Sequence, residues 1–137
     1  MGEDRLKILI VEDDFISRRI MKELLTAYGT CDMAKDGEEA IHAFYLGWEE
    51  KAPYDLICMD IMMPGVDGQE ALQRIRDMEM EMGIFGSREV KVIMVTALDD
   101  LDNVMRAFHK GGATSYVVKP ISKENLIGEI RKLGLIT

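Results

Sequence analysis

The sequence predicts an α/β fold in which one parallel five-stranded sheet carries helices on both faces. Two observations lead there. Short runs that are apolar at consecutive positions and rich in β-branched residues recur along the chain, which is the habit of strands buried on both sides. Between these runs the apolar spacing lengthens to that of a helix, and strands alternating with helices need crossovers that make the sheet parallel.

Each element can be justified in order. Lys7 to Val11 is the first strand; the helix after it has Ile16, Ile20, Leu24 and Ala27 at helical spacing, with Arg18, Arg19, Lys22 and Glu23 interspersed. Cys31 to Ala34, following Gly29, is a weaker strand. Asp36-Gly37 then opens a helix with Ala40, Ile41, Phe44 and Tyr45 as its stripe, and Trp48 to Pro53 reads as a loop. Leu56 to Met59 is the next strand, followed by a helical stripe of Leu72, Ile75, Met78 and Met82 and a loop at Gly83 to Ser87. After the strand Val92 to Val95, a helix is marked by Val104, Met105 and Phe108, and acidic Asp99, Asp100 and Asp102 suit its N-terminus. Tyr116 to Val118 is the last strand, and Ser122 caps a final helix that presents Leu126, Ile127, Ile130 and Leu133. The order is (βα)5, a doubly wound flavodoxin-like sheet. The whole chain, 1–137, reads as a single domain without repeat or linker.

Composition narrows the partners. A formal net charge of -8 excludes nucleic acid as a direct ligand, because phosphate-backbone binding relies on clustered Lys and Arg. Cys31 and Cys58 are too few for a disulfide framework or a cysteine-built zinc site, and they read as reduced thiols. No signal peptide is visible, and no run approaches the roughly 18 apolar residues of a membrane span, so a cytoplasmic protein without membrane contact is expected.

The polar residues just past the strands carry the chemistry. The first strand is followed by Glu12-Asp13-Asp14, the third ends at Asp60, the fourth at Thr96, and the fifth at Lys119-Pro120. In an open parallel sheet these carboxyl-end positions are neighbours lining a ligand crevice. Singly, each has an ordinary explanation as a cap or a solvated charge, and Asp14 reads as a helix cap. Together they form a site. Glu12, Asp13 and Asp60 would repel one another unless a hard divalent cation sat among them, and an all-oxygen donor set suits Mg2+ or Mn2+. Asp60 is then a carboxylate nucleophile able to form an acyl phosphate, with the Lys119 ammonium and the Thr96 hydroxyl to receive the phosphoryl oxygens.

These residues resemble those of the receiver domains of two-component response regulators, from about Leu6 to Leu133. The motifs that carry the resemblance are Ile10-Val11-Glu12-Asp13-Asp14, Met59-Asp60-Ile61-Met62-Met63-Pro64-Gly65-Val66-Asp67-Gly68, Val95-Thr96-Ala97 and Tyr116-Val117-Val118-Lys119-Pro120-Ile121. All four stand in order and at receiver-like spacing. The resemblance implies a phosphoacceptor at Asp60, supplied by a sensor histidine kinase or a phosphotransfer protein. It implies magnesium held by Asp13, Asp60 and the backbone carbonyl of Met62, with Glu12 acting through water. It also implies phosphoryl contacts from Thr96 and Lys119, a switch in which Tyr116 follows Thr96, and a cis peptide bond at Lys119-Pro120. The product is a phosphorylation-driven switch, not a conventional enzyme, acting as a monomer or weak dimer on a downstream protein that sequence does not name.

Two departures stand out. Met62 and Leu98 are apolar where fast-hydrolysing relatives are often polar, which suggests a long-lived acyl phosphate. The connections Leu46 to Pro53 and Met78 to Gly86 are long, and the methionine-rich one is expected to be an extra helical turn packed on its own loop. Other functions have to be weighed. A haloacid-dehalogenase-like phosphohydrolase usually has a second Asp two residues after its nucleophile, where Met62 stands. A flavin carrier needs a Ser/Thr/Gly-rich phosphate loop after the first strand, where Glu12-Asp13-Asp14-Phe15 stands. A pseudo-receiver would not be expected to keep Asp60, Asp13, Thr96 and Lys119. Whether the chain works alone or belongs to something larger is left open by its sequence.

Overall fold

The computed structural model describes residues 5–97, 102, 105 and 112–137. Its strands are β1 (Leu6–Val11), β2 (Gly29–Ala34), β3 (Leu56–Asp60), β4 (Lys91–Thr96) and β5 (Ser115–Val118), and its helices are α1 (Phe15–Leu25), α2 (Gly37–Glu49), α3 (Gly68–Glu81) and α4 (Lys123–Lys132). The strands lie in the order β2-β1-β3-β4-β5 and every pair is parallel, as the doubly wound reading requires. Of the helix expected around Val104, Met105 and Phe108, only Asp102 and Met105 fall among the described residues; both are helical and exposed.

Successive side chains of the central strands enter two separate cores. Leu9, Val11, Ile57, Met59, Val92 and Met94 pack with Ala40, Phe44, Leu72 and Ile75 of α2 and α3. Ile8, Ile10, Leu56, Cys58, Ile93 and Val95 pack with Met21, Leu25, Leu126, Ile127 and Ile130 of α1 and α4. That is why these strands are apolar at consecutive positions. At the sheet edge, β2 buries only Gly29 and Ala34, so its pattern is weaker.

Three sequence expectations need correction. On α1 the buried residues are Met21 and Leu25, while Phe15, Ile16 and Ile20 are 61%, 66% and 46% exposed. The stripe Ile16-Ile20-Leu24-Ala27 therefore runs mostly along the solvent side. Trp48 is not in a loop, because α2 continues through Glu49 and the turn follows at Glu50 and Lys51. On α3 the buried row is Ala71, Leu72, Ile75 and the charged Glu79; Met78 is only partly buried, and Met82 is exposed.

The methionine-rich stretch does extend α3 and fold back on itself. Gly83 (φ +75°) ends the helix, Ile84 N–H donates to Glu79 O at 2.8 Å, and the buried Ile84 side chain anchors the loop. Glu79 itself is satisfied: Arg76 Nη1 lies 2.7 Å from its Oε1, and Val90 N–H donates to its Oε2 at 2.7 Å. Each of α1, α2, α3 and α4 carries a side-chain cap at its N-terminus, from Asp14, Asp36, Asp67 and Ser122.

Candidate functional site

Parallel register brings the strand ends together although they are far apart in sequence. Val11 pairs with Met59, Asp60 with Val95, and Thr96 with Val118, so Glu12, Asp60, Thr96 and Lys119 lie at one end of adjacent strands. Lys119 Nζ sits 3.0 Å from Glu12 Oε1 and 3.3 Å from Asp60 Oδ2. The carboxylates of Glu12, Asp13 and Asp60 each offer an oxygen within 4.8 Å of the others.

The strain of that gathering shows in Glu12. Its carboxyl is held above the ordinary carboxylate range, chiefly by burial and next by sharing a hydrogen bond with Asp60. Asp13 is also raised, through desolvation and its neighbour Glu12, although its side chain is exposed. For Lys119, burial works against the charge, but pairing with Glu12 and Asp60 outweighs it and the ammonium is held more firmly protonated. Glu12 Oε1 is close to this ammonium yet badly angled, and it is the one buried side-chain oxygen among the described residues without a hydrogen bond. A hard cation fits this arrangement: three oxygen ligands, an excess of negative charge and an orphaned buried acceptor.

Asp14 is the N-cap of α1, accepting from Ser17 N–H at 2.8 Å, which holds its carboxyl below the ordinary range. Thr96 is buried, donates its hydroxyl to Ala97 O at 3.1 Å, and accepts Lys119 N–H on its backbone carbonyl at 2.7 Å. The Lys119-Pro120 bond is cis. Met62 N–H donates to Asp60 Oδ1 at 3.3 Å, while the Met62 side chain is 62% exposed at the rim. Tyr116 is 42% exposed on β5. Leu98 lies outside the described residues.

Two supports were not foreseen. Gly68 begins α3 against the end of β3: its N–H donates to Ile61 O at 2.9 Å, and a Cβ there would fall 2.3 Å from Asp60 O. The glycine was visible in the motif, but its contact was not. Arg18 of α1 reaches back to the backbone of Glu12 and Asp13; the sequence signalled nothing beyond a charged residue on a helix.

The family described as "Response regulator receiver domain" matches residues 8–131. The chain is 35% identical to the two-component response regulator ORR41 of Oryza sativa subsp. japonica, over 92% of each. It is 34% identical to the transcriptional regulatory protein ResD of Bacillus subtilis, covering 93% of this chain but 47% of that one. Among solved structures, the receiver domain of Ssk1 from Saccharomyces cerevisiae, crystallised with the histidine phosphotransfer protein Ypd1, aligns with a TM-score of 0.80 at 30% identity, covering 95% of this chain and 89% of that one. The chemotaxis protein CheY4 of Vibrio cholerae aligns with a TM-score of 0.76 at 25% identity, covering 94% and 98%.

The chain thus belongs to the response regulator receiver domains. It is a module of two-component signalling, and such domains are phosphoacceptor switches, not enzymes of the ordinary kind. The hydrolase and flavin-carrier readings are not favoured. Among the described residues, no helix is long and apolar enough to cross a membrane.

Proposed function

We propose that Asp60 is the phosphoacceptor of a single receiver domain spanning residues 1–137, and that the chain's own residues promote both phosphoryl transfer and its later hydrolysis. The observation that carries this reading is the Lys119 ammonium spanning Asp60 and Glu12, 3.3 and 3.0 Å away, beside Asp13 and the buried Thr96 hydroxyl. An Asp60 carboxylate oxygen attacks the phosphorus of a phosphohistidine. The new O–P bond forms as the P–N bond breaks, and the imidazole nitrogen leaves with the electron pair. Lys119 and Thr96 meet the phosphoryl oxygens. Asp13, Asp60, the Met62 carbonyl and Glu12, the last through water, are the groups that would hold Mg2+, with Mn2+ as a substitute. The cation supplies charge neutralisation for the carboxylates and the incoming phosphoryl group.

The acyl phosphate adds roughly two negative charges beside Thr96. Drawing that hydroxyl inward leaves space that the Tyr116 ring, now partly exposed on β5, can enter. The two packings need differ by only a few kcal/mol for phosphorylation to shift the population. Met62 and Leu98 are assigned to the lifetime of the phosphorylated state.

The donor is a protein bearing phosphohistidine, either a sensor kinase or a phosphotransfer protein of the type seen with yeast Ssk1. The outward residues of α1 support this: Phe15, Ile16 and Ile20 are exposed, and Ile20 lines a groove of about 450 Å³ together with Ser17, Lys119, Pro120 and Ile121. A cytoplasmic location fits such a donor. The test is to incubate the protein with Mg2+ and a small acyl phosphate donor and weigh it intact. The wild type gains one phosphoryl mass and Asp60→Asn gains none; a wild type that never gains it overturns the proposal.

A further inference from the structure

The guanidinium of Arg18 is placed against charge. It lies at the N-terminus of α1, where the helix dipole favours anions, and beside a carboxylate cluster suited to a cation. Its contacts are to neutral backbone: Nη1 donates to Glu12 O at 2.8 Å and to Asp13 O at 3.3 Å. The guanidinium also stacks over the Phe15 ring, 5.7 Å from its centroid, and the Arg18 N–H donates to Asp14 O at 2.9 Å. The ladder between β1 and β2 ends at Val11 and Ala34, so both carbonyls lie beyond the sheet. One side chain thereby ties the turn that presents the Glu12 and Asp13 carboxylates to the helix that follows it.

We infer that Arg18 is a positioning residue for cation binding, fixing the Glu12-Asp13 backbone so that both carboxylates reach Asp60. It touches no reacting atom. This inference rests on the metal-dependent reading above, and the charge of Arg18 makes it testable by sign. If Arg18 acted only through charge, removing a cation beside the site would tighten divalent binding. If it positions the turn, removal weakens binding, because groups that orient ligands typically cost 10–100-fold when lost.

The experiment titrates wild type, Arg18→Met, Arg18→Lys and the control Arg19→Met with Mn2+ alone, reading free Mn2+ by electron paramagnetic resonance. Folding is checked by circular dichroism and thermal melting. The expected result is a Kd about tenfold higher for Arg18→Met, an intermediate value for Arg18→Lys, whose shorter ammonium lacks the planar fork, and no change for Arg19→Met. In phosphorylation by a small acyl phosphate, the half-saturating Mg2+ concentration of Arg18→Met should rise by the same factor while the rate at saturating Mg2+ stays near wild type. If Arg18→Met does not fold, the Arg18→Lys titration carries the test. Binding by a folded Arg18 variant as tight as wild type, or tighter, overturns the inference. So does a lower saturating rate with unchanged Mn2+ affinity. A wild type that binds no Mn2+ instead overturns the metal-dependent reading itself, and this inference with it.

Discussion

At Gly68 the chain allows no side chain, because an added Cβ would meet Asp60 O at 2.3 Å and Ile61 Cα at 2.9 Å, both backbone atoms that cannot swing aside. Gly68→Ala must therefore displace α3 or the end of β3. It should destabilise the fold by about 1–3 kcal/mol in chemical denaturation and slow phosphorylation through the shifted Asp60. Met62 presents the opposite situation, an apolar side chain at an open rim that packing does not require. Met62→Asn should leave stability within about 0.5 kcal/mol and shorten the acyl-phosphate lifetime, followed by loss of the phosphoryl mass after the donor is removed. Equal lifetimes would remove Met62 from the mechanism. The cluster of Glu12, Asp60, Thr96 and Lys119 was legible in sequence because each stands at the end of a strand or directly after one. Arg18 and the contact of Gly68 were not, since both depend on how the chain folds back on neutral backbone atoms, which no residue spacing reports.

Among the elements, α1 shows what periodicity leaves open. Ile16, Ile20 and Leu24 and the pair Met21 and Leu25 both recur at helical spacing, and only contact with β1 and β2 decides that Met21 and Leu25 face inward. Exposed Ile16 and Ile20 then cost little to replace. The double variant Ile16→Ser, Ile20→Ser should melt near the wild-type temperature and keep its reaction with a small donor. Its phosphotransfer from a cognate phosphohistidine protein should fall about tenfold or more, measured as kcat/KM, which corresponds to the loss of about 1.4 kcal/mol of docking energy. A further element-scale lesson lies in α3, where the buried row includes Glu79 instead of another apolar residue. Its pairing with Arg76, which also donates to Gly112 O at 2.9 Å, fastens α3 to two loops. Arg76→Met leaves a buried carboxylate with less compensation and should cost about 3–5 kcal/mol in denaturant unfolding. Nothing in the residue spacing signals this pairing, because a Glu in an otherwise amphipathic helix reads as a solvated charge. Strands fared better where both faces are buried, and β2 was faint because an edge strand has less to bury.

For the molecule as a whole, the same cluster that suits a cation is a liability without one, and pH exposes this. The folded Glu12 carboxyl is raised above its ordinary 4.5, first by burial and then by its hydrogen bond to Asp60. Over the window above 4.5 the folded chain therefore binds more protons than the unfolded chain, and the unfolding free energy falls as pH rises through the folded value of Glu12. Lys119 does not offset this near neutrality: its ammonium is raised above 10.5 and loses its contribution only at higher pH. In chelator, as pH rises above 4.5 the melting temperature of wild type should fall more steeply than that of Glu12→Gln, which lacks the titrating group. Saturating Mg2+ should remove the difference. Protons and the cation compete for the same carboxylates, so the stabilisation by Mg2+ should grow with pH in the wild type and grow less steeply in the variant. Parallel wild-type and Glu12→Gln slopes in chelator would show that the proton held at Glu12 does not couple to folding. The fit of a divalent cation would then rest on the geometry of the carboxylates alone.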